Sequence, residues 1–153
     1  MPSCCKQVRD FLDFGKDLHA EVRKLYTRLG DSAEQERVRM LLEFLERHEQ
    51  HMVQTLGRFE QDSHEGLLNG WLEYSPALDV DSVIAQCQLS EQSTTDDILA
   101  AAMRFDETLV RLYQEMAEKA VDQRTRDLFK DLVNLEQQER ISVSRAAMSL
   151  ADM

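Results

Sequence analysis

The stretch LFKDLVNLEQQERISVSRAAMSL, residues 128–150, decides the fold. Leu128, Leu132, Leu135, Glu139, Val143, Ala146 and Leu150 recur at steps of three and four, so they share one face of a helix. A strand would alternate with a period of two. Glu139 interrupts an otherwise apolar row. Upstream, Asp122 offers this helix an N-cap.

Working back along the chain, the same pattern returns three times. Ile98, Ala102, Phe105, Leu109, Leu112 and Met116 form one stripe, with Ser93, Thr94 and Thr95 as caps before it. Val8, Phe11, Gly15, Leu18, Val22, Leu25 and Leu29 form another, closed by Gly30. Ser32-Ala33-Glu34-Gln35 fits a capping box for the helix carrying Val38, Leu41, Leu45, His48, Met52, Leu56 and Phe59. Short connections make each pair of helices an antiparallel hairpin. Residues 63–93 break the pattern with Gly66, Gly70 and Pro76, and Asp81–Gln88 reads as a short helix. Trp71, Leu72 and Tyr74 are expected to pack this segment onto the rest. The expectation is an all-α single domain over residues 1–153. Hairpin one spans about 5–62, a long crossover about 63–93, and hairpin two about 94–151.

Composition agrees. Among 153 residues, 42% are hydrophobic and 31% charged, with five Gly and two Pro, which suits a helix-rich globular chain. A net charge of −11 disfavours nucleic-acid backbones and favours cations near exposed carboxylates. No basic region leads into an apolar run at Met1, and no apolar run is long enough to cross a bilayer. Neither a signal peptide nor a membrane partner is expected. Three cysteines, with Cys4-Cys5 adjacent and Cys87 distant, make no disulfide framework and suit a reducing, cytoplasmic setting. Cys4-Cys5 lacks partner cysteines at zinc spacing.

The hairpins resemble each other. A shift of 87 lays Leu18-His19 on Phe105-Asp106, Val22 on Leu109, and Leu25-Tyr26 on Leu112-Tyr113. A shift of 88 lays Phe44-Leu45 on Leu132-Val133, His48 on Glu136, and His51 on Glu139. Equivalent positions of a doubled hairpin face each other across the bundle. On this reading the inward polar groups are His19, the pair His48/His51, Asp106, and the pair Glu136/Glu139. Glu21, Glu43, Glu46, Glu49 and Glu107 fall on outer faces. Residues at i and i+3 can point at one centre. Buried carboxylates need a counter-charge. Two arrangements supply it: a metal-free histidine–carboxylate network, or chelation of one or two divalent cations.

These residues carry a resemblance over all four helices, the crossover apart. The chain resembles the ferritin-like di-iron carboxylate proteins, in which two helices each give a Glu and two give Glu-x-x-His. It looks most like a rubrerythrin with altered ligands. His19 stands seven residues before Tyr26, where rubrerythrins have the first-helix Glu and its tyrosine, and Asp106, seven before Tyr113, stands at the third-helix position. His48-x-x-His51 and Glu136-x-x-Glu139 stand where the family has Glu-x-x-His. His48 removes one bridging carboxylate, and Glu136 remains as the other. There is no rubredoxin-like cysteine segment.

The resemblance implies a ferritin-like four-helix bundle with a mono- or di-metal core site that handles oxygen or peroxide. Iron is the expected metal, with manganese or zinc as alternatives. Tyr26 and Tyr113 would stand beside the ligands as hydrogen-bonding or redox groups, or simply as core residues. The competing expectation is a scaffold or interaction module without metal, acting as a homodimer. Whether the chain is an enzyme is open at this point.

Overall fold

The computed structural model describes residues 6–151. Cys4-Cys5 lies outside them. The described chain is all-α but for two short strands: β1 (Lys6–Gln7), α1 (Val8–Ser32), α2 (Glu36–Asp62), α3 (Glu65–Leu68), β2 (Trp71–Leu72), α4 (Val80–Ala85), α5 (Thr95–Lys119) and α6 (Gln123–Ala151). None of the described helices is long and apolar enough to cross a membrane.

Helix ends follow local chemistry, with one departure. Thr94 and Asp97 form a reciprocal capping box on α5, at 3.2 Å and 2.9 Å. Asp122 accepts the Thr125 amide at 2.7 Å at the start of α6. The box read at Ser32-Ala33-Glu34-Gln35 does not form. Instead α1 runs through Gly30 to Ser32, and α2 starts at Glu36 without a side-chain cap. Gly30 keeps a negative φ, so the helix passes it.

The four long helices pack as α1 on α2 and α5 on α6, and α2 touches both α5 and α6. Edge-on ring pairs tie the hairpins together: Phe11 meets Phe129 at 5.8 Å and Tyr26 meets Phe105 at 6.5 Å. The rim of hairpin one carries Lys16–Glu60 and Arg23–Glu46 pairs at 3.1 Å and 2.6 Å. The crossover is fastened to the start of α1. β1 and β2 pair antiparallel, Lys6 opposite Leu72 and Gln7 opposite Trp71. The Val8 amide donates to the Gly70 carbonyl at 3.0 Å. Leu72 is buried, but Trp71 is exposed, against expectation, because successive strand residues face opposite sides. Tyr74 bonds Glu115 of α5, and Lys119 lies over its ring.

The burial pattern repeats at one interval along both hairpins. Phe11/Ile98, Leu18/Phe105, His19/Asp106, Val22/Leu109, Tyr26/Tyr113, Leu41/Leu128, Leu42/Phe129, Leu45/Leu132, Glu49/Glu136 and Leu56/Val143 are all buried, each pair 87 residues apart. The shift of 88 read for the second helix of each hairpin is thus one residue too long.

Gly15 leaves room for side chains of two other helices, Tyr113 of α5 and Leu56 of α2. A side chain there would collide with the Tyr113 hydroxyl and press on Leu56 Cδ1 at 3.3 Å. In an open helix, Gly→Ala gains up to about 1 kcal/mol. Gly15→Ala is nevertheless expected to cost about 1–3 kcal/mol, as overpacking does. Gly57 has nothing within 4 Å of its added Cβ, so Gly57→Ala should stabilise. Chemical denaturation of the two variants checks the opposite signs.

Candidate metal centre

Each long helix delivers one buried polar side chain to the middle of the bundle. These are His19 from α1, Glu49 from α2, Asp106 from α5 and Glu136 from α6, exposed by 2%, 3%, 3% and 1%. His19 is the hub. Its Nδ1 meets Glu49 Oε2 at 2.5 Å and its Nε2 meets Glu136 Oε1 at 2.9 Å, contacts in which both nitrogens donate only when the ring is protonated. Ligand atoms of His19, Asp106 and Glu136 all lie within 4.8 Å of one another. Glu136 Oε2 is buried with no hydrogen-bond partner among the described residues.

Glu49 is the residue the helical stripe misplaced. It belongs to the interior, not to an outer face. From Leu45 to Met52 is two turns, and the row can pass through 48 or 49 with steps of three and four. At about 100° per residue, Glu49 lies about 40° from Leu45 on the side of Leu42, and His48 about 60° on the other side. Leu42 is fully buried, which moves the middle of the face toward Glu49. The adjacent apolar pair Leu41-Leu42 was the available signal.

His48, His51 and Glu139 gather apart from the hub. His48 Nδ1 stands 4.0 Å from Glu139 Oε2, and His51 Nε2 stands 3.7 Å from Glu139 Oε1. His51 is half exposed and also meets the Thr55 hydroxyl at 3.4 Å. Thus the structure brings His19, Asp106 and Glu136 together with Glu49, and leaves the other three at the rim. His64 caps α3 by accepting the Gly66 amide. Cys87 is a free thiol in the crossover.

The electrostatics follow from burial and from who faces whom. Burial by itself would lower the His19 pKa. The charges of Glu49 and Glu136 outweigh it and hold His19 well above the ordinary imidazole range. Burial, then the Glu49 charge, pushes Asp106 well up. Burial also raises Glu49, against the pull of His19. Burial, with the charges of His19 and His51, lowers His48 to about 4, so it is neutral at pH 7. The Tyr26 and Tyr113 hydroxyls are buried without hydrogen-bond partners among the described residues. Burial raises both, helped by Glu49 and Asp106 at Tyr26 and by Glu136 at Tyr113.

A pH dependence follows for the metal-free protein. His19 gains its proton partner on folding, so its contribution is complete below the ordinary value of 6.5 and is lost as pH rises through its raised folded value. Asp106 and Glu49, also raised, act in the same direction from the ordinary carboxylate range upward. Unfolding free energy is expected to fall above pH 6.5 by up to about 1.4 kcal/mol per pH unit for one proton. Thermal melts from pH 6 to 9 measure it.

Comparison of the chain with protein-family models, with curated proteins and with solved structures finds no match. The chemistry of the centre rests on its own residues. One imidazole with carboxylates is a donor set of the kind that divalent iron, manganese or zinc takes.

Proposed function

We propose that this chain is a ferritin-like four-helix-bundle protein that binds a divalent cation in its core. The observation that carries the reading is an imbalance of charge. Three carboxylates converge on one imidazole in a site closed to water. With all groups ionised the cluster carries excess negative charge, and burying it uncompensated is costly. A divalent cation supplies what is missing. His19, Asp106 and Glu136 would hold it, and the open acceptor on Glu136 would find a partner. Glu49 would keep the His19 Nδ1 proton and so turn Nε2 toward the ion, as carboxylates do behind ligating histidines.

Iron is the proposed metal, with manganese or zinc as substitutes. Iron in such a site supplies chemistry with oxygen or peroxide. The chain's own residues keep the site dry and hold buried phenol groups, Tyr26 and Tyr113, close by. The corrected register strengthens the likeness to the di-iron proteins in one respect: Glu49 and Glu136 now occupy equivalent positions on α2 and α6. It weakens it in another, since Met52 and Glu139 follow three residues later where the family has histidine.

Metal analysis of protein expressed with added iron or manganese tests the proposal. About one equivalent bound at the core is expected, lost in Glu136→Gln and in Asp106→Asn. Only traces in the parent protein would overturn it. A second reading is favoured by a specific observation. Both His19 nitrogens already face carboxylates, an arrangement that closes without metal if His19 is protonated and Asp106 is neutral. On that reading the bundle is a scaffold, for instance a homodimer, and chelators leave its melting temperature unchanged.

A further inference from the structure

We propose that His48, His51 and Glu139 form a second divalent-cation site, at the rim of the bundle and separate from the buried centre. His48 and His51 lie three apart on α2, so both can reach one point beside the helix. Glu139 comes from α6 and stands between them, one oxygen toward each ring, at 4.0 Å and 3.7 Å. Both distances are too long for hydrogen bonds. They are slightly wider than the spacing of two ligands on a common ion, whose bonds are about 2.0–2.2 Å long. Glu139 thus faces both rings without hydrogen-bonding either, and closing the set on one ion needs a small turn of the exposed His51.

A second observation points inward. The His48 side chain is only 8% exposed, and its Nε2 is buried without a hydrogen-bond partner among the described residues. Protein neighbours leave this ring unsatisfied, and ligation through either nitrogen after a ring rotation would anchor it. Exposure rises from His48 through Glu139 at 31% to His51 at 51%, so the group opens to solvent on one side. His51 has room to turn and close the set. Two imidazoles and one carboxylate, with positions left for water, suit borderline ions such as zinc or iron(II). The site is also next in the chain to the buried one: His48 precedes Glu49, and Glu139 follows Glu136 by three residues. A cation arriving from solvent meets the rim first.

Cobalt(II) is a suitable probe, followed by its visible absorption and by equilibrium dialysis with the full chain. The parent protein should take up about two ions, and His51→Ala and Glu136→Gln about one each. The double variant should take up none. Equal uptake by His51→Ala and the parent would overturn the rim site. Equal uptake by Glu136→Gln and the parent, with a loss in His51→Ala, would overturn the buried centre alone. His51 is half exposed, so its variant keeps the fold, and circular dichroism confirms it. Should Glu136→Gln fail to fold, the His51→Ala comparison still decides the proposal.

Discussion

His19→Ala is expected to lower the unfolding free energy by about 3–5 kcal/mol at neutral pH, the effect of removing one partner from a buried charged pair. At about 2–4 °C per kcal/mol, the melting temperature falls by about 6–20 °C. Among the described residues the imidazole alone bonds two of the three buried carboxylates, Glu49 at 2.5 Å and Glu136 at 2.9 Å. Its loss leaves like charges facing each other in a dry interior. They can escape only by taking up protons, so the defect should shrink as pH falls toward 5. His51→Ala, at the half-exposed rim, should change stability little. Urea denaturation of the two variants at pH 5 and 7.5 reads the contrast. A His19→Ala defect equal at both pH values would show that lost packing, not charge, is responsible.

Iron(II) under anaerobic conditions, or manganese(II), is expected to raise the melting temperature of chelator-treated protein. An ion that binds only the folded state at a hundred times its dissociation constant adds about 2.7 kcal/mol. That corresponds to a rise of about 5–11 °C. Because His19 and Asp106 must lose protons to ligate, the rise should grow with pH. This is opposite in sign to the decline expected of the metal-free protein, so melts with and without the ion diverge as pH increases. Asp106→Asn and Glu136→Gln preserve shape while removing a ligand charge, and each should abolish the core contribution. A rise in Glu136→Gln as large as in the parent would remove the buried cluster as its source.

His51 stands at the rim, not at the hub, although its helical spacing points inward. Helical spacing alone makes His48 and His51 the α2 contribution to the core, and on that reading His51→Ala would test the centre. With Glu49 at the hub, His51→Ala becomes the control for the centre and the test for the rim. One residue of phase separates the two, and it arises from a real degeneracy: a row of steps three and four tolerates either neighbour at its midpoint. The uniform interval of 87 was legible, since Tyr26/Tyr113 and Glu49/Glu136 both obey it. It was obscured because apolar residues match at several offsets, as Met40-Leu41 on Leu128-Phe129 illustrates.

Sequence alone determined the helices, because 3.6-residue periodicity, Thr94 and Asp122 caps and short connections act within a few residues of one another. It also placed His19, Asp106 and Glu136 among the inward polar groups, at the edges of apolar stripes. Tertiary structure decided which side chains meet. His19 and Glu136 are 117 residues apart and bond only because α1 and α6 pack across the same core. The rotation of α2 that admits Glu49 and leaves His48 at the rim is set by how Leu41, Leu42 and Leu45 fill the space against neighbouring helices. A helix carries its own hydrogen bonds, so its existence is local information. Its rotation is fixed by the partners it buries against, and those lie elsewhere in the chain.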